Sequence, residues 1–323
     1  MATVAAVIPH WNRRELLVAL LESLRAQLIP FDEIIVADNG SSDDSAEVAE
    51  RAGARVLRLG RNFGFAAAVN RGIQAAETDW VAILNNDVTL EPAWLCTLLE
   101  AASRQNASFA TGKILRAGAP GIIDGTFDEL SRGACACRCG SGKPDGPWWN
   151  EPRIIHFGPM TAALFRRDLF REVGTLDESF GSYLEDVEFG LRCALAGHKG
   201  VYVPSAVAHH RGSATRGEWH SDTVRQIARN QVLLAAKHFR GRPLVHIVAG
   251  QLLWGLVAFR HGRGWSYLRG KIDGLRAARQ ISEPLANAGL TPILEASERE
   301  ILEVQQQTGF DSYWRAYFWL LRR

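Results

Sequence analysis

The sequence predicts an α/β fold: a mostly parallel sheet flanked by helices over residues 1–215, followed by a helical C-terminal region over 216–323. Three observations carry this expectation. Short, continuously apolar runs alternate with longer stretches of helical period through roughly the first hundred residues. Three of those runs end in polar clusters, Pro9-His10-Trp11-Asn12, Asp38-Asn39-Gly40-Ser41 and Asn85-Asn86-Asp87. From Trp219 onward the pattern is helical. Strands that are apolar on both faces belong to a sheet covered on both sides, and such sheets bind ligands beyond the carboxyl ends of their strands.

In chain order, Val4-Ala5-Ala6-Val7-Ile8 reads as a buried strand, and Glu15 to Gln27 as a helix with Leu16, Leu17, Leu20, Leu21 and Leu24 at helical spacing. Glu33 to Ala37 is the second strand. Ser42 to Ala52 is a helix, with Ser41 or Ser42 as its expected N-cap and Asp43-Asp44 near its positive end. Arg55 to Leu59 gives a third strand, Ala66 to Ala76 a third helix and Trp80 to Leu84 a fourth strand. Pro92 opens a further helix at a position where proline is tolerated. Residues 116–152 are rich in Gly, Pro and Cys and read as a loop-heavy insertion. Order returns over Ile154 to Arg166, and Gly200 to Val203 is a later strand.

A formal net charge of +2 gives no reason to expect nucleic acid as a partner, because dedicated binders concentrate basic charge on one face. Five cysteines, an odd count, and no basic segment ahead of the apolar N-terminus point to a reducing, cytoplasmic setting with no signal peptide. No run reaches the ~20 apolar residues of a bilayer span. The nearest, Leu244 to Phe259, is broken by His246 and Gln251. Cys135, Cys137 and Cys139 are spaced C-x-C-x-C rather than in the paired pattern of structural zinc sites, with His156 the one candidate fourth ligand.

Asp38 closes a strand where a carboxylate can accept hydrogen bonds from a base or ribose, and the helix start after it offers backbone N–H groups; a plain turn and cap explain the segment equally well. Around Phe63-Gly64-Phe65 and Gly72, small residues allow close backbone approach, with Asn62 and Asn70 as polar groups beside an apolar helix. Asp87 ends a buried strand, where an acid is costly unless it is paired or bound to a cation. A divalent ion bridging a diphosphate needs one or two such hard oxygen ligands. Glu185, Asp186 and Glu188 are interleaved with Tyr183, Leu184, Val187 and Phe189, which implies partial burial and raised proton affinity for at least one acid. His209 or His210 could ligate a metal through nitrogen, and Arg211 or Arg216 could hold phosphate.

In order and spacing, these segments resemble the family-2 glycosyltransferases of GT-A fold, and most nearly the rhamnosyltransferase-like members that build bacterial surface polysaccharides. The resemblance spans roughly residues 3–215. It rests on Val7-Ile8-Pro9 with Asn12, Asp38-Asn39-Gly40-Ser41, Asn62-Phe63-Gly64-Phe65-Ala66 with Asn70 and Gly72, and Leu84-Asn85-Asn86-Asp87. Further on come Gly174-Thr175-Leu176-Asp177-Glu178-Ser179-Phe180, Glu185-Asp186-Val187-Glu188 and His210-Arg211-Gly212-Ser213. The glycine-rich Gly140-Ser141-Gly142 and Asp145-Gly146 are similar to a loop the family carries before its acceptor region.

The resemblance implies a nucleotide-diphosphate sugar as donor, bound by Pro9, Asn12, Asp38, Asn39, Asn62, Gly64, Asn70 and Asn86. It implies Mg²⁺ or Mn²⁺ held by Asp87 and His210; His210 directly precedes the x-Gly-Ser unit, which favours it over His209. Asn85 stands where the family's metal motif usually has its first acid, so the metal rests more heavily on Asp87. Asp186 is similar to the catalytic base, with Glu185 beside it, and transfer inverts the sugar's configuration. The implied donor is dTDP-rhamnose, with UDP-hexoses next, and the implied acceptor a glycan or polyprenyl-linked sugar in cell-envelope polysaccharide synthesis.

Arg260 to Arg279 holds six basic residues against the single acid Asp273, and Tyr313 to Arg323 mixes aromatics with arginine. This tail either lies against the cytoplasmic face of the inner membrane or packs on the domain or on a second copy in a homodimer. Three rival readings are weaker, two from other classes and one within glycosyl transfer. A nucleotidyltransferase would carry a basic, glycine-rich phosphate loop after the first strand, where Pro9-His10-Trp11-Asn12 stands. A non-catalytic nucleotide- or sugar-binding module would not need the Glu185-Asp186 pair. A processive membrane synthase would show spanning helices and a Gln-x-x-Arg-Trp motif, and the sequence has neither.

Overall fold

Every residue of β1 (Val4–His10) is buried, as an apolar run flanked by strands and covered by helices requires. There follow α1 (Arg14–Arg25), β2 (Glu33–Asp38), α2 (Ser45–Arg51), β3 (Arg55–Arg58), α3 (Phe65–Ala75) and β4 (Trp80–Leu84). In this computed structural model, which describes residues 2–212, 219–281 and 289–321, four of these strands lie parallel in the order β4-β1-β2-β3. Ser213, Arg216, Arg322 and Arg323 lie outside the described residues. The leucines of α1 are buried at the positions their spacing predicts. The anticipated serine N-cap of α2 is different: Asp44 holds that position without a side-chain cap bond, and Ser41 and Ser42 bond to Asp38 and Asn12 instead.

Beyond β4 the sheet is mixed. The chain continues through β5 (Val88–Leu90), α4 (Trp94–Arg104), β6 (Phe109–Arg116), β7 (Ile123–Gly125), β8 (Asp128–Leu130), β9 (Ala136–Arg138), β10 (Arg153–Ile155), β11 (Ala162–Arg166), α5 (Leu169–Glu172), α6 (Glu185–Leu195) and β12 (Gly200–His210). The full order is β10-β12-β6-β11-β4-β1-β2-β3, with β5 on β12 and β7 on β6. β11 enters antiparallel between β4 and β6, while β12 runs parallel to β6. The register of β6 and β12 shifts between Val203 and Val207, and Gly112 faces the irregularity. A Cβ on Gly112 would lie 1.8 Å from the Ala206 carbonyl oxygen, a backbone atom that cannot swing aside. Gly112→Ala is expected to cost about 3 kcal/mol or more, as overpacking against backbone does, read as a lower urea midpoint with an unchanged slope.

The chain divides into two units: residues 1–127 with 140–212, and residues 128–139 with 213–323. The sequence expectation had a single boundary, between 215 and 216. The sequence treated 116–152 as one insertion, yet the β8–β9 hairpin belongs to the second unit. Its anchors are hydrogen bonds to a helix remote in sequence, which local pattern does not show. α10 (Leu290–Thr308) supplies Ser297, whose Oγ accepts from the Leu130 N–H at 2.7 Å. It also supplies the fully buried Glu298, which accepts from Arg132 Nε at 2.9 Å. The rest of this unit is α7 (Ser221–His238), α8 (Leu244–Arg260), α9 (Gly264–Ala278) and α11 (Ser312–Leu320). Cys135, Cys137 and Cys139 are free thiols buried in it, and burial pushes the Cys135 thiol up to about 11. No helix of the described residues is long and apolar enough to cross a membrane.

Candidate active site

The polar clusters lie at the carboxyl ends of β1, β2 and β4, and hydrogen bonds join them into one constellation. His10 and Asp38 are register partners at the ends of β1 and β2. Just past β1, Asn12 adopts a left-handed backbone (φ 57°) that asparagine tolerates. Its N–H donates to Ser41 Oγ at 2.8 Å, and its Oδ1 accepts from the Ser42 N–H at 2.8 Å. Asp38 is buried and accepts from the Ser41 N–H at 3.2 Å, closing the Asx-type turn that its neighbours favour. Pro9 lies buried within β1.

The following segments are drawn in by side-chain amides. Asn39 donates to the Gly64 carbonyl at 3.0 Å and accepts from the Phe63 N–H at 2.9 Å, and Asn62 accepts from the Gly64 N–H at 2.9 Å. Gly64 (φ 93°) approaches Gly181 so closely that a Cβ there would sit 3.1 Å from the Gly181 carbonyl oxygen. That carbonyl accepts from the Ala66 N–H at 2.9 Å. Asn70 is buried and spends its amide on Leu176, donating to its carbonyl at 2.9 Å and accepting from its N–H at 3.0 Å. The sequence expectation placed Asn39 and Asn70 among donor contacts. In the structure the Asn39 amide bonds backbone groups of Phe63 and Gly64, and the Asn70 amide bonds the backbone of Leu176 and the Glu178 carboxylate.

Tyr183 (φ 70°) and Leu184 (φ 66°) are consecutive left-handed residues immediately before α6. Such conformations in bulky residues cost about 1–3 kcal/mol each and persist where the surroundings impose them, commonly at functional sites. They aim the first turn of α6. Glu185 is buried with its Oε2 unpartnered, and burial, reinforced by neighbouring Asp186, pushes its carboxyl well above the usual carboxylate range. Asp186 is half-buried and its Oδ1 accepts from the Val187 N–H at 2.8 Å. Glu188 is fully buried and paired with Arg192 at 3.0 Å, which assigns it to structure.

Asp87 meets its partner across the β5–β12 pairing. His210 is opposite Val88 and His209 opposite Thr89, so alternation sends the two rings to opposite faces. His209 reaches Glu91 at 2.7 Å; His210 lies inward with Nε2 3.0 Å from Asp87 Oδ1. Its Nδ1 is 2.9 Å from Asp124 Oδ2. Burial opposes the charged imidazole, but the two carboxylates outweigh it and push His210 up to about 9. Asp124 was missed from sequence, since a lone acid in a presumed loop has no informative spacing; only the β6–β7 pairing brings it to His210.

His10 also went unassigned. Its Nδ1 is 2.9 Å from the Asn86 amide nitrogen, while Nε2 is buried without a partner, and burial lowers the ring to about 4. An amide donor on Nδ1 leaves the neutral ring's proton on Nε2.

Among the described residues no group of three or more His, Cys, Asp or Glu side chains forms a metal cage. Asp87 and His210 Nε2 nevertheless face each other as one oxygen and one nitrogen ligand, with Asp124 behind the ring as a carboxylate that would fix its orientation. A pair of this kind suits an ion whose remaining ligands come from phosphate and water.

The chain is 32% identical over 230 residues to N-acetylglucosaminyl-diphospho-decaprenol L-rhamnosyltransferase of Mycobacterium tuberculosis, covering 64% of this chain and 75% of that protein. It is 28% identical over 294 residues to pre-mycofactocin glycosyltransferase of the same species, covering 87% of this chain and 58% of that one. Among solved structures, a mannosyltransferase of Pyrobaculum calidifontis in complex with GDP-Man and Mn²⁺ superposes with a TM-score of 0.55 at 16% identity, over 98% of this chain and 86% of that one. GalNAc-T7 with UDP, GalNAc and Mn²⁺ gives 0.61 at 16% identity, over 78% of this chain and 52% of that one. These two likenesses show the fold, which is of GT-A type. A model of the Glycosyl transferase family 2 matches residues 5–174, and the chain belongs to that family.

Proposed function

We propose that the protein transfers a sugar, with inversion, from a nucleotide-diphosphate donor to a lipid-linked or glycan acceptor, and that rhamnose from dTDP-rhamnose is the donor sugar. The observation that carries this reading is the facing pair Asp87 and His210, 3.0 Å apart and backed by Asp124, beside the polar ends of β1 and β2. The rhamnosyltransferase and solved-structure likenesses support the sugar class and a divalent ion.

Asp38 and the N–H groups after β2 would receive the nucleoside. The unpartnered Nε2–H of His10 would donate to it, offsetting a desolvation cost of about 1–3 kcal/mol. Asp87 and His210 would hold Mg²⁺ or Mn²⁺ against the diphosphate. The bound ion would supply Lewis-acid neutralisation of charge on the leaving nucleoside diphosphate. Asp186 takes the acceptor hydroxyl's proton as that oxygen attacks the anomeric carbon opposite the leaving group. The carbon–oxygen bond to the diphosphate breaks with its electron pair on the phosphate oxygen. One displacement inverts the centre.

Such an acceptor, presented on a polyprenyl diphosphate, would place the enzyme at the cytoplasmic face of the membrane. Isothermal titration against dTDP-rhamnose, UDP-glucose, UDP-galactose and GDP-mannose, each with Mn²⁺ or with chelator, tests the reading. Metal-dependent preference for dTDP-rhamnose is expected. Preference for another donor overturns the sugar, and no binding to any overturns the function.

A further inference from the structure

α8 and α9 form an antiparallel hairpin through the turn at 261–263. Tyr267 Oη donates to the Gln251 carbonyl at 2.7 Å, and Lys271 Nζ to Gln251 Oε1 at 2.7 Å. A Cβ on Gly255 would meet the Tyr267 ring. On its other side, α9 lies against α7 through Gly270 and Gly274, each close to α7 backbone carbonyls. Those faces are committed.

What remains on each helix is an apolar stripe in water. On α8, Val248, Leu252 and Leu256 are 52–65% exposed; on α9, Trp265, Leu268, Ile272 and Leu275 are 38–66% exposed. At 100° per residue each set falls within about 80° of helix surface. On both helices the stripe follows, in the same rotational sense, the residues that face the other helix. In an antiparallel pair that puts both stripes on one side.

Arg260, Arg269, Arg276 and Arg279 are exposed on the same hairpin, and the one acid between Leu244 and Ile281, Asp273, is bonded to Arg225 at 2.6 Å. α8 itself carries no acid.

We infer that this face docks flat on the surface of an anionic phospholipid bilayer, the apolar side chains entering the headgroup boundary and the arginines meeting lipid phosphates. The charge pattern selects this occupant. A twofold contact between copies would set this basic patch against itself, and its one acid, Asp273, is already bonded to Arg225, whereas anionic headgroups neutralise the arginines. The hairpin lies on the membrane, for no helix of the described residues is fit to cross it. The inference deepens the reading of a lipid-linked acceptor and rests on it for its biological sense, not for its physics.

The test is co-sedimentation of the full chain with phosphatidylcholine vesicles and with vesicles that also contain phosphatidylglycerol, for wild type, Leu252→Glu/Leu256→Glu and Arg269→Glu/Arg276→Glu. Circular dichroism and donor titration on each variant check the fold and keep this result separate from the donor chemistry. Wild type is expected to bind the anionic vesicles, less so at high salt. Both variants should lose about tenfold or more of that binding with donor affinity unchanged. Absence of wild-type binding to anionic vesicles, equal binding by Leu252→Glu/Leu256→Glu, or a wild-type dimer that this variant dissociates would overturn the inference.

Discussion

Asp186→Asn is expected to lower kcat for sugar transfer by about 10³-fold, within the range that removing a positioned general base produces, with donor affinity changed less than about threefold. The asymmetry between the two adjacent acids motivates this. Burial, reinforced by Asp186, raises the proton affinity of Glu185 and so favours its neutral form, which cannot take the acceptor's proton. Asp186 is half-buried at the start of α6, and asparagine there keeps an oxygen to accept the Val187 N–H, so the loss is chemical rather than structural.

Glu185→Gln is the matched comparison: an amide replaces a carboxyl whose burial favours the neutral form, and kcat should stay within about tenfold of wild type. Stability gives a second readout. Because the folded-state affinity of Glu185 for its proton is raised, its contribution is fully present below the ordinary carboxylate range. It is lost as pH rises from there through the folded value. The urea midpoint of wild type should therefore fall, relative to Glu185→Gln, as pH rises above the ordinary carboxylate range. A large kcat loss in Glu185→Gln with Asp186→Asn still active would exchange the two roles.

The parallel half of the fold was legible because its central strands, β1 and β4, are buried on both faces. Apolar runs such as Val4 to Ile8 and Trp80 to Leu84 announce themselves without tertiary context. The mixed half was not. β7, β8 and β9 are three residues each, too short for a period to register. The hairpin containing the cysteines is held by Ser297 and Glu298, 166–167 residues away, a contact no local rule reveals. Residue types at the site were readable where chemistry concentrated at strand ends, as with Asp38 and Asp87. Side-chain partners were not: the amide bonds of Asn39 and Asn70, and the places of Asp124 and His10, became visible only once distant segments were brought together.

Asp87→Ala is expected to abolish metal-dependent donor binding, while Asp124→Asn weakens Mn²⁺ affinity by about 10- to 100-fold, the usual loss when the group orienting a histidine ligand is changed. Among the described residues Asp87 is the one carboxylate that pairs with His210 Nε2, and Asn85 offers no second acid beside it, so its removal leaves a single nitrogen for a hard cation. Asp124 accepts from the far nitrogen of the same ring, so Nε2 is the nitrogen that gives up its proton when the ring binds a metal. An amide at 124 can hold either tautomer, so part of the population presents a protonated Nε2. Thermal shift of the protein with Mn²⁺ and dTDP reads both effects without a transfer assay. Wild type should be stabilised by the pair together, Asp124→Asn only at higher Mn²⁺, and Asp87→Ala at no concentration. Removing Asp87 also frees His210 from a carboxylate that favours its charged form, so its proton affinity should drop. Titration of the His210 ring by NMR in the metal-free protein then separates a displaced ring from a discharged one. An unchanged Mn²⁺ shift in Asp87→Ala would place the ion elsewhere and remove the pair from the donor site.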